Sequence, residues 1–138
     1  PVVTEYRPGT YVYMDRSLVL DGTCTLADCA LTVLATVVSV PTPGRAIIDA
    51  GSKTLSSDIR TMTGYGHVLG RADITIDQLS EEHGRLVSAG PIGLEVGDRV
   101  RIVPNHACVV SNLVDAVTTL RGGRVEGSEP VVARGRVW

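Results

Sequence analysis

The chain has 138 residues, with 13 Lys+Arg against 15 Asp+Glu and a formal charge of −2, so no strong positive field marks it as a nucleic-acid binder. Hydrophobic residues make up 43% and charged residues 20%, the composition of one compact globular domain rather than of a disordered chain. The longest apolar stretch, Ala30 to Val40, falls well short of the roughly 20 apolar residues of a spanning helix and contains Thr32, Thr36 and Ser39, which excludes a membrane-spanning helix.

Along the chain, 15 Gly and 7 Pro cut the sequence into short segments, at Arg7-Pro8-Gly9, Asp21-Gly22, Pro41 to Gly44, Gly64-Tyr65-Gly66, Gly90-Pro91, Gly97-Asp98 and Arg121-Gly122-Gly123. The stretches Thr10 to Met14, Ala30 to Val40, Arg45 to Asp49, Asp98 to Val103 and Val131 to Val137 are rich in β-branched residues and read as strands. Tyr11 and Tyr13 fall on one face of the first. In Asp98-Arg99-Val100-Arg101-Ile102-Val103 charge and hydrophobe alternate at period 2, as a strand with one wet face requires. Asp73 to Asp77 and Gly84 to Ser88 form a further pair around a turn at Leu79 to His83, and only Asn105 to Ala116 reads as a helix. The expected fold class is all-β: an antiparallel β-barrel or sandwich of about seven to nine short strands with one short helix.

Three cysteines, Cys24, Cys29 and Cys108, are too few and odd in number for a disulfide-stapled secreted scaffold, so a reducing, cytoplasmic setting is expected. Pro1 stands where a Met would begin a gene product, which reads as a piece of something longer.

Pro104-Asn105-His106-Ala107-Cys108 is the most specific local feature: imidazole and thiol two positions apart, after a proline that stops a strand. Both are zinc ligands, yet spacing alone supplies two ligands where a closed site takes four, and a free Cys reads equally as a small core hydrophobe. Asp49 and Lys53, in Ile47-Ile48-Asp49-Ala50-Gly51-Ser52-Lys53, follow a buried-looking strand. Lys53 is the sole lysine, which invites a Schiff-base reading; the plainer one is a strand end with a solvated amine, leaving both residues a polar role lining a cleft. Glu81-Glu82-His83 gathers titratable groups in a turn, and Leu55 to Gly70, with Tyr65 and His67, is the longest turn-rich stretch, a binding loop or a connection. No Walker, GxGxxG, nucleophile-elbow or paired CxxC pattern occurs.

Taken in order, the blocks Glu5 to Tyr13, Ala30 to Val38, Pro43 to Ala46, Asp49 to Lys53, Leu79 to Gly84, Val96 to Val100 and Pro104 to Cys108 resemble one family. The chain is similar, from about Glu5 to Trp138, to the C-terminal β-domain of D-threonine aldolase and D-serine dehydratase-like enzymes, which share the alanine-racemase-type pyridoxal phosphate (PLP) fold. The resemblance implies that residues 1–138 are a single C-terminal β-domain lacking the N-terminal α/β barrel, which would add roughly 200–250 residues and carry the PLP and its Schiff-base lysine. It implies that His106 and Cys108 bind a divalent metal beside the cofactor, zinc by preference for thiolate, with manganese possible. That metal would act on the β-hydroxyl of a small D-amino acid.

The implied partners are a PLP barrel of its own or a partner chain, a homodimer in the parent enzyme and a small D-amino-acid substrate, with no nucleic acid and no membrane. The implied activity is that of a PLP- and metal-dependent lyase on β-hydroxy D-amino acids, with this domain inactive alone. Two rival readings fit the same residues: an amino-acid racemase of the same fold, using a tyrosine and no metal, and a non-catalytic β-barrel interaction module.

Overall fold

Residues 2–136 are described by a computed structural model, and among them eight strands form two antiparallel sheets. The strands are β1 (Val33–Thr42), β2 (Arg45–Ile48), β3 (His67–Val68), β4 (Ile74–Leu79), β5 (Gly84–Ser88), β6 (Arg99–Val103), β7 (Ala116–Arg121) and β8 (Arg124–Pro130). Three short helices accompany them: α1 (Arg16–Leu20), α2 (Ser52–Leu55) and α3 (Ala107–Ser111). The main sheet has six strands in the order β3-β6-β1-β2-β5-β4; β7 and β8 pair only with each other. No helix among the described residues is long and apolar enough to cross a membrane.

Tight turns set the registers. Pro43-Gly44 folds β1 onto β2 with Thr42 opposite Arg45, and residues 80–83 fold β4 onto β5, Ser80 N donating to the His83 carbonyl at 2.8 Å. Period-2 alternation then sends Ala35, Val37, Ala46, Ile48, Ile74, Ile76, Leu86, Val100 and Ile102 to one face, where they form the core. With no Phe in the chain, aliphatic side chains fill that interior, and each fully buried Ile or Leu contributes about 1.5–3 kcal/mol.

Tyr65 N donates to the Ile76 carbonyl at 3.0 Å, bringing the two sheet edges together in a nearly closed barrel. Glycine permits that approach. Gly66 sits at φ +150°, where a Cβ would lie 2.7 Å from Ile102 Cγ2; Gly64, at φ +76°, would place one 2.9 Å from the Ile76 carbonyl oxygen.

The all-β class and the pairing of the Asp73 and Gly84 segments stand, while three elements need correction. Thr10 to Met14 is no strand: residues Thr10–Val12 form a 3-10 turn, and Met14 adopts φ +54°. Its β-branched residues meet no neighbouring edge, and strand preference is realised only through cross-strand packing. Tyr11 and Tyr13 therefore share no strand face. After Pro130, Val131 N still bonds to the Asp115 carbonyl, but the chain then turns, with Gly135 at φ +70°; Val137 and Trp138 lie outside the described residues. The helix expected over Asn105 to Ala116 is confined to Ala107–Ser111, because Asn105 and His106 are held in the loop before it and Ala116 already opens β7.

Candidate metal-binding site

β6 ends at Val103, and from Pro104 on the next residues are pinned from two sides. Arg16 N donates to the Pro104 carbonyl at 3.1 Å. Asp15, fully buried, caps α1: its Oδ1 accepts from Ser17 N at 3.0 Å, Leu18 N at 3.2 Å and Ser17 Oγ at 2.6 Å. Its Oδ2 accepts from Ala107 N at 2.9 Å. One carboxylate thus ties the start of α1 to the residue between His106 and Cys108.

Asn105, also buried, is the second anchor. It accepts from Arg16 Nη1 at 3.0 Å and donates through Nδ2 to the carbonyls of Gly64 at 2.9 Å and Asp58 at 3.2 Å. Arg16 also donates to the Thr63 carbonyl at 2.8 Å. All these buried polar atoms are satisfied, so the loop is rigid at small cost.

On this platform His106 is half-buried and extended, with φ −142°, and its Nδ1 lies 2.7 Å from Asp58 Oδ2. Among the described residues Nε2 has no hydrogen-bond partner. The hydrogen bond from His106 holds the Asp58 carboxyl below the usual carboxylate range, against a smaller opposing effect of burial. Cys108 is exposed in the first turn of α3, with Sγ 3.2 Å from Thr10 Oγ1. Buried Cys29 differs: burial first, then the neighbouring Cys24, pushes its thiol up to about 11.

Imidazole nitrogen and thiolate are the donor set that suits zinc. Among the described residues no three His, Cys, Asp or Glu side chains converge on a metal position, so His106 and Cys108 are two donors without a third. The residues fit such a metal as half of its shell, leaving the other positions to water, substrate or another chain.

The remaining sequence candidates are engaged elsewhere. Asp49 Oδ1 accepts from Thr36 N at 2.7 Å, closing the end of β2 against β1. Lys53 is exposed, with Nζ 2.8 Å from both Glu81 and Glu82, and these two hydrogen bonds, Glu81's first, raise its pKa. Such an amine stays charged and does not fit a Schiff-base role. Among the described residues no hydrogen bond or ion pair joins Asp49 or Lys53 to His106 or Cys108. Tyr65 serves barrel closure. His67 borders a largely apolar cavity of about 340 Å³ shared with Arg16, Val19, Leu20, Leu26 and Met62. Burial, then the Arg16 charge, lowers its pKa and favours the neutral ring.

Asp15, Arg16, Asp58 and Asn105 were not picked out as functional from the sequence. An Asp ahead of Arg16-Ser17-Leu18 carries an N-cap signal, and Asn105 lies inside the His-X-Cys block; nothing local marks Asp58.

Residues 30–120 match the family described as "Putative serine dehydratase domain", and the chain belongs to that family. An uncharacterized protein of Mycobacterium tuberculosis is 42% identical over 121 residues, covering 83% of this chain and 91% of its own. Among solved structures, D-threonine aldolase from Filomicrobium marinum superposes with a TM-score of 0.80 and 33% identity, over 96% of this chain and 36% of the aldolase. D-threo-3-hydroxyaspartate dehydratase, solved as a cysteine-to-alanine mutant in the metal-free form, has a TM-score of 0.78 and 32% identity over 89% of this chain and 38% of its own. The same enzyme was also solved as a histidine-to-alanine mutant, the two altered positions lying two apart. An alanine-racemase-like protein of Idiomarina loihiensis, at a TM-score of 0.77 and 24% identity, shares the fold. The chain thus spans somewhat over a third of the aldolase and dehydratase.

Proposed function

We propose that this chain is the C-terminal β-domain of a PLP-dependent lyase acting on β-hydroxy D-amino acids, and that His106 and Cys108 hold a divalent cation, zinc by preference. The observation that carries the reading is the pinned Pro104–Cys108 loop, which holds an imidazole with a free Nε2 two residues before an exposed thiol. The dehydratase relative supports it, since its histidine and cysteine mutants have the same spacing and the cysteine one is metal-free. When bound, the metal supplies a Lewis acid for the substrate's β-oxygen.

This chain's own share is to hold two ligands on a rigid loop and to wall one side of the substrate site. α2, which carries Lys53, runs directly into the turn behind His106, which supports a lining role for Lys53 and for Asp49 just before it. The PLP and its lysine belong to a barrel of its own or a partner chain, in a homodimeric parent.

Zinc uptake by the 138-residue chain in equilibrium dialysis, with D-serine and D-threonine turnover measured alongside, tests the reading. Saturable zinc binding that His106→Ala and Cys108→Ala each abolish, with no turnover by the chain alone, is the expected result. Zinc binding indifferent to both substitutions would sink it.

A second reading draws on the mycobacterial relative, which aligns over 91% of its own length. The domain also forms the bulk of a short protein, which favours metal-binding β-modules that work without a fused barrel.

A further inference from the structure

We propose that Asp58 is a positioning residue for His106: its carboxylate selects the imidazole tautomer protonated at Nδ1, which leaves the Nε2 lone pair as the ring's one free donor. The inference takes its purpose from the metal reading above, while its geometry stands without it.

A carboxylate acceptor 2.7 Å from Nδ1 requires a proton on that nitrogen, so the neutral ring carries its lone pair on Nε2. In water the neutral ring prefers the opposite tautomer, so the contact reverses a preference rather than follows one. Carboxylates placed behind metal-binding imidazoles act in this way, fixing tautomer and ring plane together.

Asp58 is itself fixed. Its backbone N donates to Ser56 Oγ at 2.9 Å, and its carbonyl accepts from Asn105 Nδ2 at 3.2 Å. The turn behind His106 and the loop that carries it are therefore clamped by two adjacent bonds, one to Asn105 and one to His106. Ser56 is buried at φ +62° and ψ 160°, a backbone conformation that favours glycine and persists in a serine only where surrounding contacts over-determine it. Here the over-determination aims Asp58 at His106. Had the carboxylate been only a solubilising surface group, neither the strained turn nor the second bond would be required.

The test is 15N NMR of the metal-free 138-residue chain in mildly alkaline buffer, together with zinc affinity by competition against a chromophoric chelator. Wild type is expected to show His106 protonated at Nδ1. Asp58→Ala should shift the ring toward the Nε2-protonated form and weaken zinc about 10–100-fold. Asp58→Asn, whose carbonyl oxygen can still accept, should keep the wild-type tautomer and stay within a few-fold in affinity. An Asp58→Ala chain with unchanged tautomer would overturn the inference, and so would a wild-type ring protonated at Nε2, which decides the matter even if Asp58→Ala fails to fold. A tautomer that depends on Asp58 in a chain that binds no zinc would leave the positioning standing and refute the metal reading. Zinc held through His106 but indifferent to Asp58→Ala would do the reverse.

Discussion

Replacing Asp15 by Ala should be among the most damaging single changes near the site, although among the described residues the side chain makes no hydrogen bond to His106 or Cys108. Two losses combine. Without Oδ1 the first turn of α1 loses acceptors for Ser17 N and Leu18 N, a capping loss of about 1 kcal/mol. Without Oδ2 the amide of fully buried Ala107 is orphaned, which costs about 1–3 kcal/mol. The sum, about 2–4 kcal/mol, is a large share of the roughly 5–15 kcal/mol that holds an ordinary domain together, and a chain of this length should melt about 10 °C lower.

Asp15→Asn separates the two parts. Its carbonyl oxygen still caps α1, while its amide group faces the Ala107 amide donor to donor, so it loses only the second contribution and should fall between wild type and Asp15→Ala. Urea unfolding of the three chains, followed by far-ultraviolet circular dichroism, gives the ranking, and zinc affinity should decline in the same order because Ala107 joins the two proposed ligands. If Asp15→Asn matched wild type in both, or Asp15→Ala lay within about 0.5 kcal/mol of it, the buried carboxylate would not be what holds the loop.

Gly66→Ala should destabilise by about 1–3 kcal/mol and speed amide exchange at Tyr65, since a Cβ there sits 2.7 Å from Ile102 Cγ2; unchanged exchange would mean that the barrel closes by other contacts. Alkylation near neutral pH should label exposed Cys108 first and zinc should protect it, whereas Cys29, its thiol pushed up to about 11 mainly by burial, should react only on unfolding; mass spectrometry of the labelled peptides checks both. Arg85, bonded to both carboxylate oxygens at 2.8 Å, holds Asp77 below the usual carboxylate range. The pair's contribution is therefore present above the unfolded value near 3.9 and is lost as pH falls through the lower folded value. Asp77→Asn should be less stable than wild type at neutral pH and converge with it in acid, and parallel stability curves across that range would count against the pair. Lys53→Ala should leave the thermal midpoint almost unchanged, because both its ion pairs are exposed, and a clear drop in a thermal melt would show that the pairs do more than sit in solvent.

Much of the barrel was legible because its strands announce themselves in two independent ways. β6 alternates charge with hydrophobe, and β1 and β2 are β-branched and separated by Pro43-Gly44, so period and turn chemistry agree. The β7–β8 hairpin escaped because its strands mix polar and apolar residues on both faces and bury almost nothing, leaving only the Gly122-Gly123 dipeptide, at φ +56° and +79°, as a turn signal. Thr10 to Met14 failed for the opposite reason: it has strand-forming residues and no edge to join. At the site, His106 and Cys108 were readable as residue types at a spacing. Asp58 was not, since its role depends on a contact 48 residues away in sequence, created only when the turn after α2 folds against the loop after β6.

That long-range contact bears on what a two-ligand site can do. A pair of donors in a flexible loop would lose side-chain freedom on gripping a metal, and with half the shell unfilled there is little coordination energy to offset the loss. Here the freedom is removed during folding instead. Asp15 fixes the backbone between the proposed ligands, Asn105 is itself held in the position before them and Asp58 bonds the imidazole ring, each through hydrogen bonds within the folded chain. On the proposed function, preorganisation of this kind would let two ligands hold an ion while keeping its remaining positions open for a substrate oxygen. It follows that substitutions at Asp15 or Asn105 should weaken zinc without removing a single ligand atom. Calorimetry should register that weakening as a more unfavourable binding entropy, because a loosened loop must then be ordered at the moment of binding. A loss confined to binding enthalpy would place their effect on the ligand bonds themselves.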